Sequence, residues 1–161
     1  MRWIWIDKFT EFTPRVSATA LKNVTLAEEH LHDLYPAFPI VPHSLIVEGM
    51  AQTAGILVGE ARNFQEKVIL AKVGRATFHR LVRPGDTISY NARIEQLSEQ
   101  GASTSGTVTT AAGDLVAEIE LMFSHIDQNL AGMRFPEHNF VFTEQFTELL
   151  KTYRTGAGVA L

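Results

Sequence analysis

The segment Tyr35-Pro-Ala-Phe-Pro-Ile-Val-Pro-His-Ser-Leu-Ile-Val-Glu-Gly-Met-Ala-Gln52 places a carboxylate where a carboxylate is expensive. Prolines 36, 39 and 42 stiffen the approach and keep the residues before them extended. From Ser44 to Arg62 the chain has no proline and predicts a helix. Its apolar residues, among them Leu45, Ile46, Met50, Ala54, Leu57 and Val58, cover nearly the whole circumference, which predicts burial on all sides. Glu48 stands in the first turn of that helix. A charge in such surroundings needs a partner or a changed proton affinity, and either makes it a candidate acid–base group. Gln52 follows one turn later on the same face. His43 sits at the helix start, where an imidazole either pairs with Glu48 or caps the helix.

These residues need a frame. Residues 15–24 begin with the alternation of a half-buried strand, and 68–82 read as one long or bent strand with Gly74 as a possible bulge. After the turn Arg83-Pro-Gly-Asp86, residues 87–95 alternate cleanly, with Ile88, Tyr90, Ala92 and Ile94 on one face. Ser103–Thr110 predicts a serine- and threonine-rich strand, and Ala112-Gly-Asp114 closes a hairpin. Leu115, Ala117, Ile119, Leu121 and Phe123 alternate in the strand that follows. The order is strand, long buried helix, then a run of antiparallel strands, which is α+β. A curled sheet wrapped around the helix buries both. Gly49, Ala51, Ala54, Gly55 and Gly59 lower the helix surface so that strands can approach its axis, at about 1 kcal/mol of helix propensity per glycine. Residues 127–142 read as irregular loop, and Thr143–Tyr153 as a short amphipathic helix with Phe146, Leu149, Leu150 and Tyr153 on one stripe.

Composition narrows the function. The 161 residues suffice for one domain, read here as spanning 1–161. A net charge of −4 gives no support to nucleic-acid binding. With no cysteine, disulfides, thiolate metal sites and cysteine nucleophiles are excluded. There is no HExxH, P-loop, GxGxxG or G-x-S-x-G pattern, so neither a metal nor a cofactor is expected. The opening Met-Arg-Trp-Ile-Trp-Ile run turns polar after six residues, too short for the apolar core of a secretion signal. Glu48, Gln52, Glu60 and three glycines argue against the long helix crossing a lipid bilayer, and the cytoplasm is the expected location.

The central segment resembles the β-hydroxyacyl-acyl-carrier-protein dehydratases of fatty-acid synthesis (the FabA/FabZ type), whose motif runs H-F-P-G-x-P-x-x-P-G-x-L-x-x-E-x-M-A-Q. Without a gap it matches Pro36, Pro39, Pro42, Leu45, Glu48, Met50, Ala51 and Gln52. The likeness extends through Lys22-Asn-Val-Thr25, Arg75-Ala-Thr-Phe-His-Arg-Leu-Val-Arg-Pro-Gly-Asp86 and Ala117-Glu-Ile-Glu-Leu-Met-Phe123, covering roughly 15–126 and leaving 127–161 as an extension. It implies a hotdog fold, a dimer or higher homo-oligomer, and a thioester substrate on acyl carrier protein or coenzyme A. It further implies a catalytic Glu48, with Gln52 and Phe78 at the substrate. The basic run Lys72, Arg75, His79, Arg80 and Arg83 falls where the family admits the phosphopantetheine arm, and would steer an acidic carrier protein if it is not merely a solvated strand face.

The chain departs from the motif at its histidine, fourteen positions before the helix carboxylate, where Leu34 stands. Ala37 and His43 replace family glycines. Removing water from a β-hydroxyacyl thioester requires a base for the α-proton, an acid for the departing hydroxide and a donor for the enolate oxygen. Leucine moves no proton. Glu48 then works alone or with His43, whose backbone N–H keeps the oxyanion role, or with His32, which shares Leu34's face if the segment is extended. Otherwise His30 and His32 are solvated loop residues. Two other readings follow: a thioesterase in which Glu48 activates water, or a non-catalytic acyl-binding or heterodimer subunit in which Leu34 lines an apolar tunnel.

Overall fold

Residues His43–Glu60 form the long helix, α2, and every residue from Gly49 to Gly59 is buried. The computed structural model describes residues 4–126 and 141–156. Around α2 curls one antiparallel sheet of β1 (Lys8–Thr13), β2 (Ser17–Asn23), β3 (Val68–Phe78), β4 (Thr87–Leu97), β5 (Gly101–Thr110) and β6 (Leu115–His125). Their spatial order is β1-β2-β4-β5-β6-β3. Among the described residues, two further helices are α1 (Glu29–Asp33) and α3 (Glu144–Gly156). This is the expected hotdog arrangement, a helix enclosed by a sheet.

The alternation foreseen for β4 faces α2, with Ile88, Tyr90 and Ala92 all buried. Each large apolar side chain so placed contributes about 1.5–3 kcal/mol. Close approach explains the costly glycines. A Cβ on Gly49 would lie 2.4 Å from the Tyr90 ring, so only glycine lets β4 reach the helix there.

Although β3 and β4 are consecutive in sequence, they do not pair. β3 lies at the far edge against β6, with register shifts between Leu70 and Lys72 and between Val73 and Arg75, the second at the expected Gly74 bulge. The Arg83–Asp86 turn is tied to the end of β2 by Val24 N–H donating to Asp86 O (2.9 Å) and Gly85 N–H to Val24 O (2.9 Å). Val41 N–H donates to Val82 O at 2.9 Å, which fastens the proline-rich approach to α2.

Several bounds differ from the sequence reading. α2 starts one residue early, with Pro42 as its N-cap, and stops at Glu60, before the positive-φ pair Asn63 and Phe64. β1 is an addition. A register shift between Phe9 and Glu11 sets its two aromatics three residues apart and hides the two-residue period. Residues 29–33 are helical rather than extended, so His32 does not share Leu34's face; its side chain is exposed. α3 runs three residues beyond the expected end, with Leu150 buried and Phe146, Leu149 and Tyr153 packed on the core. Most of the loop read at 127–142 falls outside the described residues. Among the described residues no helix is long and apolar enough to cross a membrane.

Candidate active site

The half-buried Glu48 is held by its own helix. Gln52 Nε2 donates to Glu48 Oε1 at 2.8 Å, the reach of residues four apart. Gln52 in turn accepts from Trp5 N–H at 2.8 Å through Oε1, so its amide cannot rotate without losing both bonds. Glu48 and Gln52 line a cavity of about 280 Å³. The rest of its wall is apolar: Gly55 and Ile56 of α2, Val68 to Leu70 of β3, Phe123 of β6, and Phe142 and Phe146 from the C-terminal segment.

At the helix start, Leu45 and Ile46 N–H both donate to Pro42 O, at 3.0 and 3.3 Å. The N–H groups of His43 and Ser44 precede that first turn, and Pro42 offers no side-chain cap. The positive end of the helix is therefore available to a developing anion. The His43 ring does not turn to Glu48. It stacks on Phe78, with centroids 4.0 Å apart and planes at 2°, so the structure joins two of the predicted residues but separates this imidazole from the carboxylate.

Leu34 caps α1 and is 52% exposed, beside the exposed Tyr35 and Phe38. His30 is not the solvated residue its sequence context implies. Its ring meets Trp5 edge-on at 5.2 Å, and its Nε2 is buried without a hydrogen-bond partner among the described residues. Burial lowers its pKa, outweighing the attraction of Glu28. Beside it, the buried Lys22 ammonium pairs with Glu28 at 3.0 Å and lies 5.8 Å from the Trp5 ring centre. Burial likewise raises the pKa of Tyr90.

Most of the basic run is neutralised across the sheet. Arg75 pairs with Glu120 (2.8 Å), His79 with Glu118 (3.0 Å), and Arg80 with Asp114 (2.7 Å) and Asp86 (3.3 Å). Arg83 lies over the Phe38 ring at 4.5 Å. Of the basic run, Arg75 and Arg80 are thus held in exposed ion pairs, each contributing little to stability, and His79 shares a hydrogen bond with Glu118.

Fold and site together define a hotdog protein with a carboxylate near the start of its central helix, in the second turn rather than the expected first because the helix begins at His43. A family model described as a FabA-like domain matches residues 4–123. The 3-hydroxyacyl-[acyl-carrier-protein] dehydratase FabZ of Rickettsia rickettsii (strain Sheila Smith) is 38% identical over 120 residues, covering 72% of this chain and 81% of its own. Solved structures share the fold: the dehydratase heterocomplex ApeI:P from Xenorhabdus doucetiae (TM-score 0.66, 13% identity, 78% of this chain and 85% of that one). A thioesterase from Haemophilus influenzae gives a TM-score of 0.61 at 14% identity, over 78% and 81% of the two chains. The chain belongs to the FabA-like family.

Proposed function

We propose that this protein dehydrates β-hydroxyacyl thioesters, presented on acyl carrier protein or coenzyme A, with Glu48 as the acid–base group, and does so in the cytoplasm. The observation that carries this reading is the Glu48 carboxylate, fixed by Gln52, at the wall of an otherwise apolar cavity. Relatives at 38% identity named for that reaction support the substrate class.

With leucine at position 34, one carboxylate serves both steps. Glu48 takes the α-proton, and the electron pair moves onto the thioester oxygen as an enolate. The N–H groups at the start of α2 stabilise that oxygen. As the enolate collapses, the Cβ–O bond breaks and the proton on Glu48 leaves with the hydroxide as water. The carboxylate is regenerated and the product is the enoyl thioester. Phe78, held flat against His43, and Leu34 are assigned to the substrate entrance on the family resemblance; neither is among the residues that line the cavity.

The site is expected to be completed by a second copy. β3 is an edge strand with Leu70 and Val73 exposed, and edge pairing of two copies would cover it. A monomer by light scattering at micromolar concentration would refute the dimer.

One observation favours a second reading. Glu48 has an amide rather than an imidazole as its hydrogen-bond partner, an arrangement equally suited to activating water against the thioester carbonyl. A panel of β-hydroxyacyl-coenzyme A substrates separates the two: enoyl product supports dehydration and free thiol supports hydrolysis. Neither product, with tight binding retained, makes the chain an acyl-binding subunit.

A further inference from the structure

The cavity beside Glu48 is walled in part by a stretch of the chain that the family model does not reach. That model ends at residue 123, whereas Phe142 and Phe146 both line the cavity. Phe142 lies over Gly59, where an added Cβ would come within 2.4 Å of the ring. Gly59 is eleven residues beyond Glu48, about 16 Å along the helix at its usual rise. The cavity is therefore polar at Glu48 and Gln52 and walled by aromatics toward the other end of α2.

This wall is anchored rather than loosely draped. Phe142 meets Phe64 edge-on, with centroids 5.1 Å apart. Behind it, α3 buries Leu150, and Arg154 reaches Glu60 at 2.7 Å, a pair mostly shielded from solvent. At about 30 Å³ for each water-sized group, the 280 Å³ cavity holds about nine heavy atoms. That is room for a short to medium alkyl chain.

We propose that Phe142 and Phe146 set the acyl-chain length this protein accepts, the C-terminal segment acting as the end wall of the pocket. The inference rests on the reading of the Glu48 cavity as an acyl-thioester site. Each methylene that enters an apolar pocket tightens binding about fourfold. Affinity should then climb with chain length until the chain meets the wall, and stop climbing there.

The test is calorimetric titration of the full-length protein with S-alkyl coenzyme A thioethers, butyl-sized to palmityl-sized, which can be neither dehydrated nor hydrolysed. Wild type should show the fourfold climb and then a break at medium length. Phe146→Ala should move the break to longer chains by about two methylenes or more, since the removed ring leaves space. Gly55→Leu should move it to shorter chains by filling the cavity from the helix side. A Cβ at Gly55 lies 3.5 Å from Phe123, an ordinary contact for the first carbon of the new side chain, and Phe146→Leu, which removes less volume, carries the test of the wall if Phe146→Ala fails to fold. A climb whose break stays put in the folded variants overturns the wall and leaves the acyl-thioester reading standing. No binding of any thioether to wild type overturns both.

Discussion

Replacing Glu48 by glutamine removes one proton-transfer group and little else. The new side chain has the same shape, and its amide oxygen accepts from Gln52 Nε2 as the carboxylate does at 2.8 Å, so the Trp5–Gln52 link is kept. Exchanging a charged for a neutral hydrogen bond costs about 1 kcal/mol, and a half-buried charge is relieved of part of its desolvation at the same time. The expected net change in stability is therefore within about 1 kcal/mol, or about 2–4 °C in melting temperature for a chain of this size. Chemistry should respond far more. A general acid–base group contributes about 10²–10⁴-fold in rate, which is about 2.7–5.4 kcal/mol of barrier. The assay follows enoyl absorbance and free thiol in parallel on one β-hydroxyacyl-coenzyme A substrate, with a melting curve on each sample. Turnover within about threefold of wild type, in a variant that melts normally, would refute the reasoning and make Glu48 a structural carboxylate.

Leu34→His should raise dehydration by about 10²-fold, because it adds a second proton-transfer group to a site whose carboxylate and helix N–H groups are already in place; no change in rate would mean that position 34 does not face the substrate. His43→Gly keeps the backbone N–H and removes a ring committed to Phe78, so activity should be retained within severalfold, and a loss of about 10²-fold would give the imidazole a chemical role. His30 holds its pKa below the ordinary 6.5 by burial, so the unfolded chain binds the proton more readily and folding stability should fall as pH drops below about 6.5. Melting temperature against pH should show that loss, and His30→Leu should flatten it; an unchanged slope in the variant would locate the titration elsewhere. Gly49→Ala drives a methyl into the buried Tyr90 ring at a cost of about 1–3 kcal/mol, against about 1 kcal/mol of helix propensity gained. A lower urea midpoint is expected, and a higher one would show that β4 can retreat.

The sequence alone determined the helix and the carboxylate. A proline-checked approach followed by apolar residues around a full circumference has one stable solution, a buried helix, and Glu48 announces itself by what it costs in such a place. β4, β5 and β6 were legible for a related reason: their two-residue period is local and survives without knowledge of partners. β1 was not legible, because its register shift breaks that period between Phe9 and Glu11.

Tertiary structure decided what depends on contacts distant in sequence. β3 passes its sequence neighbour β4 and pairs with β6, and that pairing brings Glu120 opposite Arg75 and Glu118 within reach of His79, so that much of the basic run meets acidic partners. His43 stacks on Phe78, thirty-five residues away, instead of pairing with Glu48 one turn on. Phe142 and Phe146, legible at most as a loop end and one stripe of an amphipathic helix, become the wall of the cavity that Glu48 faces. A residue's type and spacing state what it can do; which group it meets is set by strand order and register, and no local period encodes either.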